Sequence, residues 1–194
     1  MKKIRTPITD DVIKDLVCGE QVLLSGTIYT ARDAAHKQML EDLSHHKPLP
    51  FDVNGQIIFY MGPCPAAPGE VIGPAGPTTS HRMDKYTPKL LDLGLKGMIG
   101  KGNRTSPVID SIRKNSAVYF ACVGGTGTLC ARHIQHSEII AYPELGTEAV
   151  RKLEVKDFPI FVAIDAKRNN IYDNGPKLFR KYIIDNHING GTYE

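Results

Sequence analysis

Apolar positions follow two rhythms along the chain, and each rhythm predicts a kind of element. Near-continuous apolar runs occur at 20–31 (EQVLLSGTIYTA), 55–63 (GQIIFYMGP), 97–100 (GMIG) and 117–123 (AVYFACV). They predict buried strands, the first of them split or kinked around Ser25-Gly26. Segments 137–145 (SEIIAYPEL), 150–165 (VRKLEVKDFPIFVAID) and 171–174 (IYDN) also read as strands. Helical spacing takes over between them. A short helix is expected after Thr9, over 9–17. Another runs from about Arg32 to Leu43, with Thr30 and Asp33 at capping-box spacing and a breaker after it at His45-His46-Lys47-Pro48. Thr78, Thr79 and Ser80 precede Met83, Tyr86, Leu90 and Leu93, which predicts a helix over about 80–93. Ser106 and Pro107 predict the N-cap and first turn of a helix to about Lys114. Further helices are expected over 128–134 and 175–188.

Strands alternating with helices through the middle predict an α/β layer. The more continuous strands at both ends predict a second sheet or a barrel-like β layer. No linker and no internal repeat interrupts residues 1–194, so a single domain is expected. With 194 residues, 41% of them hydrophobic, the chain can bury a normal core. No apolar run approaches the roughly 18 residues of a membrane span. The opening MKKIRTPITDD carries no apolar stretch of a secretory leader. A net charge of +3, from scattered and mixed charges, argues against nucleic acid or a membrane as partner. Cys18, Cys64, Cys122 and Cys130 form no CxxC pair and match no zinc or iron–sulfur spacing. They are expected to be reduced and mostly buried thiols of a cytoplasmic protein, Cys64 the most exposed, with no metal held by this chain.

Charge changes the picture at three strand-to-helix junctions. Arg32 follows GTIYTA, Arg82 stands at the start of the helix expected over 80–93, and Lys101 follows GMIG with Gly102 and Asn103 freeing the backbone. A cation near a helix N-terminus is mildly unfavourable by itself. Taken singly, each reads as a surface residue: Arg32 with Asp33, Arg82 with Asp84, Lys101 with solvent. Three junctions alike, at the carboxyl ends of strands where α/β sheets bind ligands, favour a shared site for a small multiply charged anion, a dicarboxylate or a phosphate. The segment GGTGT (124–128) adds bare N–H groups but lacks the Lys-Ser/Thr ending of a phosphate loop. His36 lies four residues after Arg32, either orienting a ligand or sitting at the core edge. His45 and His46 read as solvated, His81 as pointing away from Arg82, and Glu144 as a turn residue rather than a site acid.

Four segments carry a resemblance: TARDAAHK (30–37), GPTTSHRMD (76–84), KGNRT (101–105) and AYPELGTEAVRKLEVKDFPIFVAID (141–165). In this order they resemble the β subunit of the iron–sulfur (class I) fumarate hydratases and the carboxy-terminal domain of the single-chain members. The resemblance runs from about residue 5 to 175, within a wider hydro-lyase family that includes L-tartrate dehydratase. KGNR favours the fumarase branch, since tartrate enzymes tend to carry a KGG version. The resemblance implies a swivelling β/β/α domain and reversible hydration of fumarate to L-malate, a reaction of the tricarboxylic acid cycle. It implies an α subunit holding a [4Fe–4S] cluster on three of its own cysteines, an α2β2 assembly and a site between the subunits. Arg32, Arg82 and Lys101 would hold the carboxylates of a small dicarboxylate. Thr78 would stand at the proton-transfer position, activated by Lys101 or by a charge from the α subunit. Asp33, His36, Thr79, Gly102 and Asn103 would support them. Ser80-His81 departs from the Ala-Gly of many members and bears on pH dependence and substrate choice. Two alternatives stay open: a β subunit of L-tartrate dehydratase or a related 2-hydroxy-dicarboxylate hydro-lyase, and a non-catalytic small-anion-binding domain.

Overall fold

The computed structural model describes residues 1–123 and 125–185. Three short strands form its centre: β3 (Ile57–Phe59), β4 (Gly97–Gly100) and β5 (Val118–Ala121), numbered after β1 (Lys2–Arg5) and β2 (Gln21–Thr30). They are apolar at nearly every position because both of their faces are covered. One buried cluster takes Ile57, Phe59, Ile99, Val118 and Phe120. The other takes the residues between them, Ile58, Tyr60, Met98 and Tyr119. With β6 (Ile134–Ala141) and β7 (Val150–Ile164), the described strands form one sheet in the order β1-β2-β3-β4-β5-β7-β6.

Strand β7 also pairs antiparallel with β2. Strands β2, β3, β4, β5 and β7 therefore close a ring of five, which leaves those strands no free edge within the ring. The barrel-like layer expected from the long end strands is present, and it belongs to the same sheet as the central strands. Strands β2 to β5 run parallel, so their carboxyl ends share one rim. The kink expected at Ser25-Gly26 is a bulge: the β2–β7 register shifts between Leu24 and Gly26. Ser25 Oγ there accepts from the Asp157 N–H at 2.9 Å, and Asp157 takes a left-handed φ of 47°. The extra residue flips the inward face of β7 from Leu153 and Val155 to Phe158, Ile160 and Val162.

The helices are α1 (Asp10–Lys14), α2 (Asp33–Ser44), α3 (Thr87–Asp92), α4 (Ser106–Lys114), α5 (Gly127–Arg132) and α6 (Ile171–Asp185). Helices α2, α3 and α4 bury Ala35 and Met39, Leu90 and Leu91, and Val108 and Ile112 in the second cluster. Several expectations are corrected. The single helix over 80–93 is two pieces, a 3-10 turn at Ser80–Met83 and then α3. Asp84 and Thr87 are drawn inward to a buried arginine at the break, and Pro88 opens α3. Thr30 does not cap α2; its hydroxyl donates to the Ala149 carbonyl (3.4 Å) and accepts from the Arg151 N–H (3.0 Å). The N-cap of α4 is Thr105 rather than Ser106. Segment 171–174 is the first turn of α6 rather than a strand, and residues 186–188 of the helix expected there lie outside the described residues. Residues 143–148 leave the expected strand as a 3-10 segment, where Tyr142 and Gly146 adopt positive φ.

Candidate active site

The carboxyl-end rim gathers the predicted site residues. Arg32 is the first residue beyond Ala31, whose N–H extends β2 along Phe59. Segment 78–80 lies as an extra rung between the ends of β3 and β4. The Thr78 N–H donates to the Tyr60 carbonyl (2.7 Å), the Lys101 N–H donates to the Thr78 carbonyl (3.2 Å), and the Ser80 N–H donates to the Lys101 carbonyl (2.9 Å). Thr79 and Lys101 thus pair as a parallel bridge. Thr78 is half-buried, and Thr79 and Lys101 are exposed. The Lys101 ammonium forms no ion pair among the described residues.

The partners of the two arginines differ from those read along the chain. Asp33 turns away from Arg32 to Arg82: Arg82 Nε donates to Oδ1 at 2.9 Å and Nη2 lies 2.8 Å from Oδ2. One hydrogen bond and one close charge contact tie the 3-10 turn to the start of α2, while Asp33 Oδ2 accepts no hydrogen bond among the described residues. Arg82 does not stand in the first turn of a long α-helix, so the dipole penalty expected there does not arise. Its counter-charge comes from Asp33. Arg32 pairs with Glu148, Nη2 to Oε1 at 3.2 Å, while Glu148 Oε2 accepts from the Ala34 N–H at 2.9 Å. The free N-terminus of α2 is therefore occupied by a carboxylate of the chain itself. Against these two carboxylates stand Arg32, Arg82 and Lys101, which leaves the rim one positive charge in excess. Arg32 Nε is buried without a partner, so its guanidinium has donors to spare.

Two buried devices hold the rim in shape. Arg104, with a side chain 0% exposed, donates from Nε to Asp84 Oδ1 (2.6 Å) and from Nη2 to Thr87 Oγ1 (2.8 Å). Asp84 Oδ2 accepts from the Thr105 N–H at 2.7 Å, so one ion pair joins the Arg82 segment to the Lys101 segment. The Arg104 guanidinium lies against the rings of Tyr60 and Tyr119. The second device is a hydroxyl chain: Tyr119 OH donates to the Gly102 carbonyl (2.8 Å) and meets Ser80 Oγ at 2.8 Å. Gly100 makes room for it, because a Cβ there would overlap Ser80 Oγ. Asn103 Oδ1 accepts from the Arg104 N–H (2.8 Å) and from Asn170 Nδ2 (3.0 Å), which fixes the loop after Lys101, where Gly102 has a φ of 82°.

His36 is fully buried between Tyr60 and Tyr86. Its Nδ1 donates to the Arg32 carbonyl at 2.9 Å, and Nε2 has no partner. Burial pulls its pKa down to about 4, so it is neutral and braces the backbone at Arg32. His81 is exposed and lines, with Asp33, Arg82, Asp84, Lys85, Pro88, Thr105 and Pro107, an open groove of about 790 Å³. Thr78, Arg32 and Lys101 do not line that groove. All four cysteines are free, with Cys64 exposed and Cys122 and Cys130 buried, their sulfurs 3.2 Å apart. Of GGTGT, residue 124 lies outside the described residues, and Gly127 packs on Gly76. Glu144 is exposed in the first turn of the 143–148 segment. Among the described residues no group of three or more His, Cys, Asp or Glu side chains is gathered as a metal would require.

Reading along the chain missed Glu148 and Arg104. No spacing rule connects Glu148 to Arg32 across 116 positions. Arg104 sits in KGNRT beside the cation that drew attention, and one residue type serves equally as an exposed clamp or a buried bolt.

Residues 2–175 match a family model described as Fumarase C-terminus. The chain is 40% identical over 151 residues to "Fumarate hydratase class I, anaerobic" of Escherichia coli (strain K12), covering 77% of this chain and 28% of that protein. It is 38% identical over 156 residues to "Fumarate hydratase 2" of Leishmania major, covering 79% of this chain and 28% of that one. With "L(+)-tartrate dehydratase subunit beta" of Escherichia coli (strain K12) the identity is 33% over 186 residues, 92% of this chain and 90% of the subunit. The chain thus spans little more than a quarter of the fumarate hydratases it matches and nearly all of the tartrate dehydratase subunit.

Proposed function

The chain belongs to the Fumarase C-terminus family, and from that premise we propose that it is the β subunit of a two-subunit fumarate hydratase. The reaction is the reversible hydration of fumarate to L-malate. The observation that carries this reading is the rung that sets Thr78 beside Lys101 on the rim where Arg32 and Arg82 also stand. Fumarate has a carboxylate at each end. Arg32 and Arg82 offer planar forks for carboxylates, and Lys101 offers a point charge. In the dehydration direction a C–H proton beside one carboxylate is lost, and negative charge builds on that carboxylate. Fixed cations stabilise that charge as it develops. The Thr78 hydroxyl takes the proton-relay position. A threonine hydroxyl is a weak base, and a Lys101 ammonium brought within reach of it would favour its charged form. Asp33, His36, Thr79, Gly102 and Asn103 hold these groups in place.

The described residues of this chain do not fit a cluster: Cys122 and Cys130 face each other, and Cys18 Sγ donates to the Ala163 carbonyl at 3.4 Å. We assign a [4Fe–4S] cluster to an α-subunit partner, where it would supply Lewis-acid activation of the hydroxyl that is added or lost. The α2β2 assembly, a site shared between subunits, a cytoplasmic location, a swivelling β/β/α fold and one domain over residues 1–194 belong to the same proposal. Supporting a separate β subunit is the near end-to-end match to a protein that is itself named a subunit β. No helix among the described residues is long and apolar enough to cross a membrane. The same match favours a second reading, the β subunit of an L-tartrate dehydratase.

Anaerobic co-expression with a cluster-bearing partner, followed by assays of fumarate, L-malate and both tartrates, separates the readings. Turnover of fumarate and L-malate is expected. Turnover of L-tartrate alone would move the chain to the second reading. Dicarboxylate binding without turnover would leave an anion-binding domain.

A further inference from the structure

We infer that Glu148 is a positioning residue for this reaction, fixing the Arg32 guanidinium so that its remaining donors meet a substrate carboxylate. The inference rests on the proposed hydro-lyase function. Three observations carry it. Glu148 uses both oxygens at once, one on Arg32 Nη2 and one on the Ala34 N–H, so it is tied to the same helix start that carries the arginine. Both side chains are largely covered, at 22% and 21% exposure, and Arg32 Nε is left buried without a partner. The segment that delivers Glu148 is itself clamped at both ends. Tyr142 OH donates to Asp42 Oδ2 on α2 at 2.7 Å, and the Thr30 hydroxyl on β2 holds the Ala149 carbonyl and the Arg151 N–H.

Gly62 completes the setting. A Cβ at that position would lie 2.8 Å from the Thr147 carbonyl and 3.0 Å from Arg32 Nη1. Bare backbone thus walls one side of the guanidinium and Glu148 holds another, which leaves an arginine with few rotamers. An arginine held in place loses less freedom when it grips a ligand. Glu148 also closes the N-terminus of α2 to a second anion. The substrate carboxylate is then met by side-chain donors in one place, rather than by a choice between guanidinium and helix end.

The test uses the assembled enzyme, with fumarate as probe, and records KM, kcat and the thermal midpoint for wild type, Glu148→Ala and Glu148→Gln. Loss of positioning in Glu148→Ala should raise KM about tenfold or more. Glu148→Gln keeps one of the two acceptors and sets its NH2 group against either Arg32 Nη2 or the Ala34 N–H, so its KM should rise by about threefold, clearly less than in Glu148→Ala. If Glu148→Ala does not assemble, Glu148→Asp takes its place, being one methylene short of Arg32, with the same rise in KM expected. A KM unmoved in Glu148→Ala beside a lowered midpoint would make Glu148 a helix cap only and overturn the inference. So would a Glu148→Gln variant as impaired as Glu148→Ala. A wild-type assembly that turns over no dicarboxylate would overturn the functional reading, and this inference with it. Active wild type with an unmoved KM in the variants overturns the inference alone.

Discussion

Arg82–Asp33 and Arg104–Asp84 are the same chemical pair in two settings, and one member of each, Arg82 and Asp84, lies in the same short segment. Arg82 reaches outward to Asp33, the pair being 47% and 29% exposed. Asp84, two residues on, reaches inward to Arg104, and that pair is 0% and 8% exposed. The outer arginine borders an open groove. The inner one spends its donors on Asp84 and Thr87 and lies between two tyrosine rings. Water screens the first pair, so its net contribution to stability is about 0–1 kcal/mol. The second has no water to fall back on, and either partner left alone is a buried charge. Charge type therefore does not separate a screened surface pair from a buried one; burial does.

The largest expected effect comes from splitting the inner pair. Asp84→Asn leaves the Arg104 charge uncompensated and removes a charged acceptor from the Thr105 N–H. It should cost about 3–5 kcal/mol, read as a lowered urea midpoint. His36 belongs with the inner class although it lies beneath Arg32. Its folded pKa is about 4 against about 6.5 unfolded, so the unfolded chain binds a proton that the fold excludes. Its contribution is full above about pH 6.5 and is lost as the pH falls toward 4. Lowering the pH from 7 to 5 should remove about 2 kcal/mol. The loss should be much smaller in His36→Asn, as urea titrations at the two pH values will show. The smallest effect is on the outer pair: Asp33→Asn should change stability by less than about 1 kcal/mol. A loss as large as that of Asp84→Asn would erase the distinction between the pairs.

The central strands were legible along the chain because burial on both faces leaves a continuous apolar run, as in GMIG and AVYFA, whereas β1 was not, since three of the four residues of KKIR are charged. The bulge at Ser25-Gly26 was legible from a glycine inside a strand. Elements set by tertiary partners were not. A 3.6-residue period continues from Met83 to Leu93, yet the helix breaks where Asp84 and Thr87 turn to Arg104. IYDN reads as strand by composition and is helix in the fold. The places of Arg32 and Lys101 after β2 and β4 were legible from the apolar runs that precede them, whereas Thr78 was singled out only by the resemblance. The partners of Arg32 and Arg82 were not legible, since Asp33–Arg82 and Glu148–Arg32 span 49 and 116 positions and adjacent charges were the only pairs visible in sequence.

The central claim is that the outer pair serves a substrate carboxylate while the inner pair serves the fold. The most direct measurement is kcat/KM for fumarate, beside the thermal midpoint, for Arg82→Met in the co-expressed enzyme. The account predicts a fall of about 30-fold to several thousand-fold in kcat/KM, with a midpoint near that of wild type. Intact turnover together with a large drop in the midpoint would contradict it and make Arg82 a second structural bolt like Arg104.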